Sequence, residues 1–161
     1  MSSEKNIRLV QDIYAAFVRG DIRFMTDHIA EDCGDFSIIS GASTAVPWHL
    51  NGKGKSGAVR FFEAMGSTVE FTAFEPRDYA SAGDHVYATL RMTLKIRATG
   101  EALELPEVIH RFTFREGKVV RWRGTEDTAS TQAAFAGASN GRITSEIESI
   151  ARRGSGRVED Q

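Results

Sequence analysis

The sequence is poor in the residues that would place it outside a reducing compartment or inside a membrane. Only one of its 161 residues is a cysteine, Cys33, so no disulfide can form within the chain. No stretch approaches the roughly 20 consecutive apolar residues that cross a bilayer. The first residues have no apolar run behind their charges, which is not the pattern of a signal peptide. We therefore expect a cytoplasmic protein.

An excess of charge of either sign is also missing. The 20 basic and 22 acidic residues give a formal net charge of -2. No global field would therefore draw the chain to nucleic acid or to an anionic membrane. The four histidines show no metal-ligand spacing, and no phosphate-binding loop or nucleophile elbow occurs. The sequence thus predicts neither a metal nor a cofactor, and its length fits one domain.

The first part of the chain has helical periodicity. From about residue 4 to 19, apolar residues recur at spacings of three and four, which puts them on one stripe. The stripe consists of Ile7, Val10, Tyr14, Phe17 and Val18. A second helix is predicted from the cap Asp21 to about Ala30. Its inward residues are Ile22, Met25 and Ile29. A third helix is predicted from about Ser56 to Met65.

After Gly66 the period changes to two, which is typical of strands. The clearest strand is Val86 to Arg97, where apolar residues alternate with polar ones. Its apolar face consists of Val86, Ala88, Leu90, Met92, Leu94 and Ile96. The other predicted elements are the strands Phe36 to Ile39, Val69 to Tyr79, Leu103 to Phe114 and Lys118 to Thr125, and the helix Thr128 to Ala136. Helices followed by a meander of strands predict an α+β fold with helices against one sheet face.

Several short stretches, in this order and at these spacings, resemble the NTF2-like superfamily, and within it the SnoaL-like or ketosteroid-isomerase-related group. They are Val10–Phe17, Arg19–Asp21, Pro47–Trp48 with Gly52, Val59–Phe62, His110–Phe114, Glu116–Val120 and Asp127–Ala129. The resemblance implies a cystatin-like cone, in which N-terminal helices pack on a curved antiparallel sheet and enclose a pocket. It also implies a homodimer through the outer sheet face. It does not imply one reaction, because this fold hosts several.

The expected domain covers residues 1–137, and residues 138–161 form a C-terminal tail that we expect to be partly flexible. Within the tail, isoleucines recur at helical spacing, at Ile143, Ile147 and Ile150. Two interpretations stay open for this tail. It either docks on a partner subunit or is a mobile terminus.

The ketosteroid-isomerase site is incomplete in this sequence. The resemblance places the family's tyrosine at Ile13, its catalytic base at Ser37 and its hydrogen-bond donor at His110. Tyr14 follows one residue later, rotated by ~100° about the helix. A serine hydroxyl is too weak a base to take a proton from carbon at neutral pH. Steroid isomerisation is therefore not expected.

Two other chemistries of the superfamily are also incomplete. The resemblance to limonene-type epoxide hydrolases places their arginine and first aspartate at Leu90 and Met92, and matches only the last aspartate, Asp127. The resemblance to SnoaL-type cyclases matches their histidine at His110 but places their aspartate at Gly124. We therefore expect neither that epoxide-opening relay nor the complete cyclase pair.

Alternation along the strands indicates which side chains face the pocket. On the strand that ends at residue 114, Val108 and His110 share the inward face with Phe112, and on the last strand Trp122 and Glu126 face inward. Folding this hairpin places His110 roughly opposite Trp122. Glu126 would then be ~13 Å further along, so the sequence predicts no direct bond between His110 and Glu126.

The leading hypothesis is a protein that binds an apolar cyclic or aromatic compound and, if catalytic, performs cofactor-free isomerisation, cyclisation or dehydration. His110 would handle the proton or bind an oxyanion, Asp35 or Glu126 would supply a carboxylate, and Tyr14 would be a further donor. The predicted ligand-binding residues are Phe17, Ser37, Trp48, Phe62, Leu90, Met92, Val108, Trp122 and Asp127. The alternative is a non-catalytic ligand-binding or assembly module of the same fold.

Four of these residues also have a purely structural interpretation. His110 would be a core histidine bonded to backbone, and Trp122 would simply fill the core. Trp48 would plug a gap under the long connection rather than form a pocket wall. Asp127 stands where the cap of the closing helix belongs.

Overall fold

The computed structural model describes residues 3–38, 46–49 and 52–136. Its elements are α1 (Ser3–Arg19), α2 (Ile22–Asp27), β1 (Asp35–Ile38), β2 (Gly52–Lys53), α3 (Gly54–Thr68), β3 (Val69–Ala82), β4 (His85–Ile96), β5 (Ala102–Arg115) and β6 (Lys118–Thr125). A further helix, α4, covers residues 128–136. The predicted tail, residues 138–161, lies outside the described residues.

One six-stranded sheet holds these strands in the order β2-β1-β6-β5-β4-β3. The four long strands form the predicted antiparallel meander, and β1 adds to β6 in parallel. The turn between β5 and β6 consists of Glu116 and Gly117, whose φ angles are 50° and 76°. Two successive positive φ angles are typical of a tight hairpin turn. Register shifts in the three antiparallel pairs of the meander mark irregularities that curve the sheet.

The apolar face of β4 is buried along its whole length, as the alternation predicts. Helices α1 and α3 contact the strands on this side. Burial of such a face removes apolar side chains from water, which stabilises the fold by about 25 cal/mol for each Å². The predicted α+β fold, with N-terminal helices against a curved and unclosed sheet, is confirmed.

Three details of the predicted helices are wrong. Val18 is 66% exposed because it lies one residue, or ~100°, beyond Phe17 at the edge of the buried stripe. Ile22 is 41% exposed, since it opens α2 at the corner where α1 ends. Helix α2 stops at Asp27 rather than near Ala30, because the chain then pairs with β6: the Ala30 amide donates to the Val119 carbonyl over 2.9 Å.

Candidate functional site

An apolar cavity lies between α1, α3 and the inner face of the sheet. Its free space is about 70 Å³. The polar atoms of its lining belong to Tyr14, Trp48, His110 and Glu126. The apolar lining consists of Ile13, Phe17, Met25, Ile29, Phe36, Ile38, Phe61, Phe62, Met65, Phe71, Phe74, Met92, Phe112, Val119 and Trp122.

Aromatic rings form two walls of this cavity. Phe36 on β1 and Trp122 on β6 stack with ring centroids 4.7 Å apart and an interplanar angle of 24°. Phe17 on α1 contacts Phe71 and Phe74 on β3, with centroids 5.1 and 5.0 Å apart. Flat aromatic faces favour contact with another ring, stacked or edge-on. Walls of this kind favour contact with a planar or cyclic ligand.

The first polar pair joins helix α1 to the sheet. The Tyr14 hydroxyl and His110 Nδ1 are 3.0 Å apart and buried. The other ring nitrogen, Nε2, has no hydrogen-bond partner among the described residues. Burial lowers the pKa of His110 to about 3, and it raises the pKa of Tyr14 well above its usual range. Both groups are therefore uncharged at neutral pH.

The second polar pair is one that the sequence did not predict. His49 Nε2 lies 2.7 Å from Glu126 Oε1, and the two side chains are only 1% and 3% exposed. The second carboxylate oxygen, Oε2, has no partner among the described residues. Glu126 faces the cavity, so His49 holds one of its oxygens and leaves the other for a ligand. A buried carboxylate needs such a partner, because an unpaired one is costly to desolvate.

The register of the last hairpin brings the two pairs closer than the sequence suggests. His110 lies opposite Gly124, two residues further along β6 than the predicted partner Trp122. One of these two residues comes from the shift in pairing between Thr113 and Phe114. Glu126 is therefore two residues, not four, beyond the partner of His110, and the register behind the predicted separation of ~13 Å is wrong.

Gly124 shapes the cavity by having no side chain. A Cβ at this position would lie 2.7 Å from Ile38 Cδ1 and 2.9 Å from Trp122 Cη2, which is closer than carbon atoms approach. The indole of Trp122 therefore lies across the glycine, and its centroid is 4.9 Å from the His110 ring. At the position where the resemblance to SnoaL-type cyclases places an aspartate, this chain has a glycine, and the indole of Trp122 packs against it.

A sequence profile of the SnoaL-like domain matches residues 10–122. This chain belongs to the SnoaL-like family. The predicted membership of the NTF2-like superfamily is thereby confirmed. A search of curated protein sequences found no match.

Solved structures share this SnoaL-like fold. An NTF2-like protein from Burkholderia xenovorans LB400 is 24% identical, with a TM-score of 0.73 over 84% of this chain and 98% of the other. An NTF2-like protein from Burkholderia pseudomallei K96243 is 18% identical, with the same TM-score and coverage. TerC, co-crystallised with polyporic acid, is 20% identical, with a TM-score of 0.70 over 81% and 98%. At these identities the likeness shows the fold alone, and it confirms the predicted NTF2-like cone.

Five predicted site residues of this SnoaL-like domain lie away from the cavity lining, and two of them are on β1. Asp35 precedes the inward Phe36, so it points to the outer face, where it pairs with Arg123 over 2.8 Å. The hydrogen bond from Arg123 lowers the pKa of Asp35. Ser37 lies on the same outer face, opposite Arg123 in the β1–β6 pairing. The predicted place of Asp35 and Ser37 at the pocket mouth is therefore corrected.

Asp127 caps helix α4 instead of lining the cavity. Its Oδ2 accepts from the Ser130 hydroxyl over 2.6 Å and its Oδ1 from the Ser130 amide over 3.0 Å, and these hydrogen bonds lower the pKa of Asp127. Leu90 and Val108 face inward and are buried, but they pack in the core and do not line the cavity. The ligand-binding placement of these three residues is corrected for that reason.

Other predicted residues do line the cavity of this SnoaL-like domain. Besides Tyr14, His110 and Glu126, they are Phe17, Trp48, Phe62, Met92 and Trp122. Trp48 is fully buried and packs edge-on against Phe135, with ring centroids 5.1 Å apart. It therefore fills space under the connection and also lines the cavity. The catalytic and ligand-binding roles of all of these residues stay predictions.

Among the described residues, no helix combines the length and the apolar character needed to span a bilayer. In the same ranges, no group of three His, Cys, Asp or Glu side chains is placed to hold a metal ion.

The buried neutral His110 makes the stability of the protein depend on pH. In the unfolded chain this imidazole takes up a proton below pH 6.5, whereas in the folded protein its pKa is about 3. The unfolded state thus binds more protons between these values, and folding stability falls as the pH is lowered, by about 1.4 kcal/mol per pH unit. Between pH 7 and pH 5, we expect the free energy of unfolding of His110→Phe to fall by roughly 2 kcal/mol less than that of the wild type. Urea unfolding at the two pH values measures this difference. Equal losses in the two proteins would contradict this assignment.

Proposed function

We propose that this protein binds a small apolar cyclic compound and catalyses a cofactor-free proton transfer on it. The observation that carries the proposal is the convergence of two buried hydrogen-bonded pairs, Tyr14–His110 and His49–Glu126, on one otherwise apolar cavity. Titratable groups held in such surroundings are typical of acid–base sites. A homodimer through the outer sheet face and a cytoplasmic location are part of the same proposal.

His110 would bind the oxygen of the ligand. Tyr14 keeps its proton because burial raises its pKa, so its hydroxyl donates to His110 Nδ1. The single proton of the neutral imidazole then lies on Nε2, the nitrogen without a partner. A pre-arranged donor of this kind stabilises a developing oxyanion, and removing one such donor costs about 10²–10³ in rate.

Glu126 would be the proton carrier. Its Oε2 takes a proton from the carbon beside the carbonyl, and the C–H electron pair moves towards the oxygen to form an enolate. His110 Nε2–H donates to that enolate oxygen. Return of the proton to the same carbon regenerates the ligand, whereas return to another carbon gives an isomer. His49 is a positioning residue, because it orients Glu126 through Oε1 and does not reach the ligand.

Deuterium exchange tests this proposal. Acetophenone and cyclohex-2-enone would be incubated with the protein in D₂O, and loss of the exchangeable C–H signals followed by ¹H NMR. We expect the wild type to accelerate exchange, and His110→Phe to lose about 10²–10³ of that acceleration. The matched control is His85→Phe, at a histidine outside the cavity lining, bonded to Thr113, which should exchange like the wild type.

The incomplete family site supports a second candidate function. The resemblance to SnoaL-type cyclases places their aspartate at Gly124, which has no side chain to take part in a reaction. A non-catalytic binding or assembly module with the same cavity would bind ketones without exchanging their protons. Thermal-shift binding of cyclic ketones, phenols or quinones together with background-rate exchange would favour this alternative over catalysis.

A further inference from the structure

The free space of the cavity, counted as room for the centre of a water-sized sphere, favours a small ligand. A water molecule needs about 10–15 Å³ of such space, so 70 Å³ holds roughly five to seven waters. That room accommodates one substituted ring. The stacked rings of Phe36 and Trp122 form one wall of this space, and the indole of Trp122 lies against Gly124.

The charge of the cavity lining also restricts which ligands can bind. No lysine or arginine is among the lining residues in the part of the chain that the structure describes. The arginines of β6 lie on the outer face, where Asp35 is 2.8 Å from Arg123 and 3.8 Å from Arg121. Inside, His110 is uncharged at neutral pH. The second polar pair among the described residues, His49–Glu126, brings a carboxylate to the cavity, which does not attract an anion.

We infer that the site selects an uncharged, single-ring carbonyl compound and rejects carboxylates and phosphates of the same size. The inference rests on the proposed function, in which the carbonyl oxygen meets His110. A carboxylate in this cavity would lose its hydration without gaining a cation, and such desolvation is costly. A neutral carbonyl group loses far less hydration, and its oxygen can accept a hydrogen bond from His110 Nε2.

Acetophenone and benzoate form a matched pair for the test, because each has one ring, a carbonyl carbon and the same number of non-hydrogen atoms. Isothermal titration at pH 7 is expected to show acetophenone binding at least about tenfold more tightly than benzoate. 2-Acetonaphthone, with one more ring, is expected to bind more weakly than acetophenone. Equal affinity for acetophenone and benzoate overturns the inference, as does failure of acetophenone to bind.

A second variant checks that charge is the cause. Met65 on α3 lines the cavity and is partly exposed, so Met65→Lys adds a cation there with a side chain of similar length. We expect this variant to raise the affinity for benzoate about tenfold or more, whereas Ser67→Lys, on the exposed side of the same helix, leaves it unchanged. Unchanged benzoate binding by Met65→Lys would contradict charge selection.

The titration and the exchange assay together distinguish failure of the inferred ligand class from failure of the proposed catalysis. If acetophenone binds selectively but does not exchange its methyl protons for deuterium, the ligand class stands and the proposed catalysis fails. If exchange is accelerated while benzoate and 2-acetonaphthone bind as tightly as acetophenone, the catalysis stands and the ligand class fails.

Discussion

Leu90→Asp is expected to prevent the chain from folding. Leu90 is 1% exposed at the centre of β4, between Pro76 on β3 and Val108 on β5. A carboxylate there would be buried without a partner, and the leucine packing would also be lost. Such combinations cost roughly 4–5 kcal/mol or more, against a total stability of about 5–15 kcal/mol for a domain. The measurement is the soluble yield, followed by circular dichroism of any soluble material.

The neighbouring residue provides the control for Leu90. Arg91 points to the outer face, where its side chain is 35% exposed and lies 3.3 Å from Glu75. Arg91→Asp removes that exposed ion pair, which contributes only about 0–1 kcal/mol, so the variant should remain soluble and folded. Similar behaviour of the two aspartate variants would refute the assignment of inner and outer faces.

Glu126→Gln is expected to remove most of the proposed activity while leaving the fold intact. The glutamine keeps the size of the side chain and an oxygen that accepts a hydrogen bond from His49 Nε2, so the buried pair survives. The amide cannot take a proton from carbon, and loss of a general base lowers rates by about 10²–10⁴. The deuterium-exchange assay measures the loss, and urea unfolding checks the stability.

Two further variants sharpen the result for Glu126. Glu107→Gln, at an exposed position of β5, makes the same chemical change outside the cavity and should leave exchange unchanged. His49→Gln keeps a side chain that can hydrogen-bond to Glu126. If His49 positions the base, this variant should retain part of the activity. Wild-type exchange by Glu126→Gln would rule out Glu126 as the proton carrier.

The strands could be predicted because each residue of β4 has one of two environments. Alternation fixes which face is buried whenever one face of a sheet meets the core, and that argument holds for all of its six inward residues. It also placed His110 and Glu126 on the inner face. The same argument could not detect the irregularity opposite Phe114, because Val119 and Val120 are both apolar and the sequence does not show which of them faces inward.

The partner of Glu126 could not be predicted for a different reason. His49 lies in a connection without periodic structure, and nothing in local sequence fixes where such a segment runs. The only available signal was the adjacency of His49 to Trp48, a large apolar residue that must be buried somewhere. That position depends on tertiary contacts between distant segments. Asp35 is a different case, because alternation with the apolar Phe36 and Ile38 already indicates that Asp35 faces outward.

The groups of the candidate site are far apart in the chain. Tyr14 and His110 are separated by 96 residues, and His49 and Glu126 by 77. Contacts of such long sequence separation require costly loop closure before they stabilise anything, and chains rich in them fold slowly. The acid–base groups therefore meet only when most of the sheet has formed. A chain that stops before β6 lacks Glu126, so the candidate site is complete only after the last strand has been added to the sheet.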